Sequence, residues 1–161
     1  MSVPAEDLSL DLGCLLLPLG SLSLLVPSAC VVEVLPWRRV RPIPDMPQWL
    51  LGVTQWRGDS IPVLRFEPLN GSSDAFPERG SCVAVMNRCS SSTGQPFYGI
   101  ATDSLPRMAQ VKQEDIEAQK THAGAAETAV AKLGGEQVRV PDLGYIEEQL
   151  SNLAKRSRKA D

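Results

Sequence analysis

Residues 52–66 read GVTQWRGDSIPVLRF, and this stretch decides the fold. Apolar residues at Leu50, Leu51, Val53 and Trp56 lead to a break at Arg57-Gly58-Asp59-Ser60, after which Ile61, Pro62, Val63, Leu64 and Phe66 resume the pattern. Glycine reaches positive φ without steric cost, and Asp and Ser side chains bond nearby amides, so the break is turn chemistry. Two strand-length apolar runs around a short Gly-containing turn predict a β-hairpin. Pro62 has no amide donor and is expected at an edge, a strand start or a bulge. Arg57 stands just before the turn, a charge at the end of a buried strand, and no local rule explains it.

Upstream, residues 14–17 and 22–26 are two apolar runs separated by Pro18-Leu19-Gly20-Ser21, a second hairpin signal. They are apolar on both faces, as strands of a closed barrel are. Pro27-Ser28 predicts a turn or helical bend before residues 31–35, a β-branched run carrying Glu33 at its centre. A carboxylate in a strand points outward or meets a partner, because unpaired burial is costly. Pro36, Pro42, Pro44 and Pro47, interleaved with Arg38, Arg39 and Arg41, exclude regular helix or central strand. That segment reads as a stiff surface crossing, with Trp37 covering the core and Gln48 beginning one helical turn.

Downstream, the turn-rich residues 69–80 are the expected boundary between two β subdomains. Residues 82–86 read as a buried strand, 89–95 as a flexible hairpin tip, 97–102 and 105–111 as further strands. Residues 112–120 are polar, and the alanine-rich 123–131 fit helix, loop or strand equally. Gly134-Gly135 predicts a tight hairpin turn leading to Val138 and Val140. Pro141 stops that strand, Asp142 caps the next helix, and Leu143, Ile146, Leu150 and Leu153 recur at helical spacing.

Composition agrees with one soluble globular domain: 161 residues, 43% hydrophobic and 22% charged, with 13 Pro and 12 Gly favouring β architecture. A chain of this length buries roughly 70% of its unfolded surface. Removing the four positive charges of Lys155, Arg156, Arg158 and Lys159 from the net −3 leaves −7 on the remainder. That basic cluster reads as a tail at residues 154–161 following the helix. Residues 12–32 lack charge over a membrane-spanning length, but Pro18, Gly20 and Pro27 interrupt them and acidic residues precede them, which argues against a span or signal peptide. Four scattered cysteines and the single His122 do not make a zinc site or a disulfide scaffold. No catalytic glycine or nucleophile motif is present, and an Asp59/Asp103 acid pair is the one enzyme reading left. Arg57-Gly58-Asp59 matches an integrin-binding tripeptide by coincidence.

The pattern Gly-Val-x-x-x-Arg-Gly-x-x-Ile-Pro-Val at 52–63, continued upstream through Val31-Val32-Glu33-Val34 to Pro42 and Pro47, resembles the signature of CheW-like domains, adaptors of bacterial chemosensory arrays. Within that family it looks nearest the ChpC-type adaptors of type IV pilus systems controlling twitching motility. The resemblance covers residues 14–153. It implies an all-β fold of two intertwined five-stranded β-barrels with a C-terminal helix, in a single domain at 12–153 preceded by a flexible 1–11. The first barrel would be mostly 12–66 and the second mostly 81–132, with a returning strand and helix at 136–153.

The implied function is non-catalytic and cytoplasmic, without cofactor. It is the coupling of methyl-accepting chemoreceptor tips to the regulatory domain of a CheA-like histidine kinase, with other CheW-like adaptors as further partners. Val31, Glu33, Val34, Gly52, Arg57 and Gly58 match family positions at such contacts. Asp103-Ser104 departs from the usual Asp-Gly, and 112–131 carries little of the pattern. The rival reading is a small β-barrel module binding nucleic acid, for which the only mixed aromatic and basic cluster is residues 37–41.

Overall fold

A computed structural model describes residues 12–20, 22–72, 76–77, 79–88, 96–120 and 123–159, with side chains through Arg156. The expected N-terminal segment 1–11, the hairpin tip 89–95 and His122 lie outside the described residues.

The two hairpins read from the sequence both form. β1 (Leu12–Leu19) and β2 (Leu22–Pro27) pair antiparallel with Leu19 opposite Leu22, so the turn is only two residues long. A 3-10 turn at Ser28–Cys30 leads to β3 (Val31–Pro36). β4 (Leu50–Trp56) and β5 (Asp59–Leu64) form the second hairpin, followed by the single-turn α1 (Phe66–Leu69). Then come β6 (Cys82–Asn87), β7 (Phe97–Thr102), β8 (Arg107–Val111), β9 (Ile116–Ala118), β10 (Glu127–Leu133), β11 (Glu136–Pro141) and the helix α2 (Leu143–Lys159). Gly134 and Gly135 at φ 58° and 86° make the β10–β11 turn, whose twist matches that of the strands it joins.

Two sheets result. One has six strands in the order β8-β1-β2-β11-β10-β9, the other five in the order β3-β6-β7-β5-β4. Each sheet wraps one apolar face around its own interior. In the six-stranded sheet that interior is Cys14, Leu16, Leu25, Val111, Ala131 and Val138. The opposite faces meet in a third core, where Leu17, Leu19, Leu24 and Val26 pack against Leu64, Ala84, Met86, Tyr98 and Ile100. Strand alternation thus buries both faces of β1 and β2, which is why their sequences are continuously apolar. Ile146 and Leu150 of α2 dock on this shared core.

The chain is divided between the sheets differently from the expected 12–66 and 81–132. β1 and β2 join β8 to β11, whereas β3 to β7 make the other sheet. The turn-rich 69–80 joins two strands of one sheet and is not a boundary. Its composition marks a long connection, and the actual crossings are the short Ser28–Cys30 turn and residues 103–106, whose turn residues do not tell a change of sheet from an ordinary turn. The six-stranded sheet exceeds the expected five because Ile116-Glu117-Ala118, in a segment read as polar, pairs with β10. Residues 48–49 form a turn closed by Leu50 N–H on the Pro47 carbonyl, in place of a helical turn. Asp142 does cap α2, accepting from the Tyr145 amide at 3.0 Å. The helix continues to Lys159, so Lys155 and Arg156 lie in its last turns, where they complement the macrodipole, and not in a tail beyond it.

At the 103–106 crossing a buried arginine ties the sheets together. Arg65 is fully buried and donates to Asp103 Oδ1 at 2.6 Å and to the Pro77 carbonyl at 3.1 Å. The other Asp103 oxygen accepts from the Gly20 amide of the β1–β2 turn at 2.6 Å, and the Asp103 amide donates to the Pro18 carbonyl. One carboxylate therefore holds the end of β5 and the tip of the first hairpin.

Candidate functional site

The sequence places Arg57 before the turn; the structure puts it in the turn. Arg57 and Gly58 are its two central residues, with φ of 48° and 84°, and Trp56 pairs with Asp59 across them. A left-handed arginine costs about 1–2 kcal/mol. Its side chain recovers part of that: the guanidinium carbon lies 4.7 Å from the Trp56 ring centroid, and Nη2 is 3.4 Å from Glu33 Oε2. The same carboxylate oxygen accepts the Trp56 indole N–H at 2.8 Å. Trp56 is itself nearly buried, edge-on to Phe97 at 4.9 Å and packed with Leu35, Ile61 and Val85 inside the five-stranded sheet.

Glu33 lies on β3 and Trp56 on β4, the two edge strands of that sheet. A register shift between Val31 and Glu33 bends β3 here and puts Glu33 opposite Val85, whose side chain faces the sheet interior. The carboxylate consequently bridges the mouth of the curled sheet. The Arg57 side chain stays 64% exposed and Glu33 38%, so the pair is worth only about 0–1 kcal/mol. Its value is positional: a planar fork of donors is stacked and aimed outward beside an exposed turn.

The other expected site residues divide. Val34 lies opposite Ala84, on the face away from the sheet interior; it is half-buried and belongs to no core cluster among the described residues. Val31 shares that face but packs against the core between the sheets. Gly52 is buried at φ 146°, and a Cβ there would collide with the backbone carbonyl of Arg41, which exchanges two hydrogen bonds with Val53. Its bare Cα serves the fold. The structure thus gathers Glu33, Arg57 and Gly58 at one end of the sheet, sets Val34 on the other face of β3, and leaves Gly52 inside.

The acid pair does not form. Asp59 opens β5 and Asp103 meets Arg65 just past its end, so the strand separates them by roughly 20 Å. Sequence reasoning missed Trp56 as the hinge of the site, though its place next to Arg57 at a strand end was a signal. It also missed Glu147, which is fully buried on α2 and accepts from the Tyr98 hydroxyl at 3.0 Å. A glutamate in a charged run gives no hint of that. Burial pushes the Cys14 thiol above its ordinary pKa, as expected of an inert core cysteine.

Comparison with known proteins agrees with this architecture. The family profile described as CheW-like domain matches residues 13–149. The fold is similar to the crystal structure of the scaffolding protein TtCheW from Thermoanaerobacter tengcongensis, with a TM-score of 0.67 and 18% identity over 82% of this chain and 89% of that one. Comparison with curated proteins finds no match. Two interlocked β-sheets with a docked C-terminal helix, the residues of the sequence signature on the hairpin and β3, and a profile match across most of the length lead to one assignment: this chain belongs to the CheW-like domain family.

Proposed function

We propose that this chain is a cytoplasmic, non-catalytic adaptor that couples methyl-accepting chemoreceptor tips to a CheA-like histidine kinase, binding the kinase's regulatory domain through β3 and the Arg57-Gly58 turn. The observation that carries this reading is the Glu33–Trp56–Arg57 cluster. It contributes little to stability through its exposed ion pair, yet it fixes a guanidinium in an outward pose on a rigid strand end. Such an arrangement suits recognition of a partner carboxylate or carbonyl. An adaptor of this kind transmits receptor state through its differential affinity for partner conformations, with no reaction of its own. Other CheW-like adaptors are further partners through the same edge, and ChpC-type control of twitching motility is the finer assignment we favour. Among the described residues no helix is long and apolar enough to cross a membrane.

Nucleic-acid binding is disfavoured by Trp37, which is partly buried against Val63, Val83 and Ala101 and so presents less ring for base stacking. A pull-down from lysate of the source cell tests the adaptor reading, with wild type beside Arg57→Ala and Val34→Arg. The sensor kinase is expected with wild type and depleted in at least one variant. Equal recovery by all three would remove the site, and absence of any kinase would remove the function.

A further inference from the structure

A second charged surface lies apart from the Glu33–Arg57 cluster. Arg38, Arg39 and Arg41, with Val53, Thr54 and Gln55 of β4, line an open basin of about 540 Å³. The backbone beneath these arginines is held firmly. Arg41 exchanges hydrogen bonds with Val53 at 2.8 and 3.0 Å, the Arg39 carbonyl accepts from Thr54 Oγ1 at 3.0 Å, and Pro42 follows directly. Arg38 donates one N–H to the Gln55 carbonyl at 2.9 Å. The side chains of Arg39 and Arg41 have no hydrogen bond or ion pair among the described residues, and all three arginines are exposed. Between them Val40 packs onto the core formed by Val63, Val83 and Ala101, while Arg38, Arg39 and Arg41 all border the basin.

Three like charges around one concavity repel each other unless a counter-charge is present, and among the described residues none lines the basin. The geometry points to a binding site for an extended acidic segment of a partner protein. Two residues of extended chain span roughly 6.6 Å, so successive same-side carboxylates of such a segment can meet separate guanidinium groups of the basin. Guanidinium pairs carboxylates in a bidentate fork, which gives geometric selectivity as well as charge. A nucleic-acid strand fits less well, because the neighbouring Trp37 is committed to the core. This surface stands whether or not the Arg57 end binds a kinase.

The test is fluorescence anisotropy with a fluorescein-labelled oligoglutamate peptide, an oligoglutamine peptide of equal length, and a single-stranded oligonucleotide. Wild type binds oligoglutamate, weakens as salt rises, and ignores oligoglutamine. Arg39→Glu/Arg41→Glu lowers that affinity about tenfold or more, as removal of paired interface charges does. The neutral Arg39→Gln/Arg41→Gln pair shows a smaller loss of the same sign while melting like wild type. Lys155→Glu/Arg156→Glu, which alters the exposed basic end of α2, leaves affinity within about twofold because those charges lie outside the basin. No oligoglutamate binding by wild type, equal binding by the Arg39/Arg41 variants, equal loss in the α2 variant, or preference for the oligonucleotide would each overturn the assignment.

Discussion

Glu33 and Trp56 stand on opposite edge strands of the five-stranded sheet, and a 2.8 Å hydrogen bond from the Trp56 indole to Glu33 Oε2 joins them. The sheet curls until its edges meet at this end, and one carboxylate closes the gap. Because Trp56 is nearly buried, its N–H has little access to water when Glu33 is removed. Glu33→Ala is therefore expected to cost about 1–3 kcal/mol, with Glu33→Gln milder because it keeps an acceptor. Arg57→Ala should lie within about 1 kcal/mol of wild type, since the ion pair is exposed and the left-handed turn is as strained for alanine as for arginine. Urea melts of the three variants check this ordering, and a larger loss for Arg57→Ala than for Glu33→Ala would reverse the roles assigned to them.

Gly52 and Gly58 both have positive φ but differ in what surrounds them. A side chain at Gly52 meets the Arg41 backbone, whereas nothing lies within 4 Å of a Cβ at Gly58. Gly58→Ala is expected to cost about 1–2 kcal/mol of backbone strain alone. Gly52→Ala adds a clash that can be relieved only by parting the Arg41–Val53 bridge, so it is expected to exceed about 3 kcal/mol. Thermal melts rank the two, and equal losses would show that residues 38–41 yield easily.

Asp103 is the counter-charge of the fully buried Arg65. Asp103→Ala leaves that guanidinium with backbone carbonyls and the more distant Glu67 at 3.9 Å, and frees the β1–β2 turn. A loss of about 3–5 kcal/mol is expected. Asp103→Ala/Arg65→Met should recover part of it, because an apolar side chain of similar length suits the site better than an unpaired charge. Denaturant midpoints of the single and double variants decide; a double variant no better than the single would mean that Arg65 is held by its carbonyl partners alone.

The buried Cys14 thiol is held neutral by burial, so its folded-state pKa lies above that of the unfolded chain. The neutral thiol's contribution is complete below the unfolded-state pKa and falls as pH rises through the folded one. Stability of wild type should drop more than that of Cys14→Ala between about pH 8 and pH 10, as followed by urea unfolding at each pH. Parallel curves for the two proteins would contradict a buried Cys14.

Local chemistry made much of this fold legible. The Arg57-Gly58 and Gly134-Gly135 turns announce two hairpins, Asp142 announces α2, and the doubly apolar β1 and β2 announce strands covered on both faces. What stayed hidden was long-range. Nothing in residues 28–30 or 103–106 says that the chain changes sheets there, because their turn residues would serve a hairpin within one sheet equally well. Pro62 illustrates the same limit. It lies in an inner strand, which a missing donor argues against, but it precedes Val63 and Leu64, where pairing with β7 begins. In the site, Arg57 was visible as a charge that local rules left unexplained, and Glu33 as a strand carboxylate that should point outward or meet a partner. Their meeting through Trp56 depends on sheet curvature, which strand patterns do not encode.

Isothermal titration of the purified chain with the regulatory domain of its CheA-like kinase tests the central claim most directly. Wild type should bind, and Arg57→Ala should weaken binding about tenfold, near 1.4 kcal/mol, while melting within about 1 kcal/mol of wild type. No heat of binding for wild type, or identical affinity for a folded Arg57→Ala, would contradict the account.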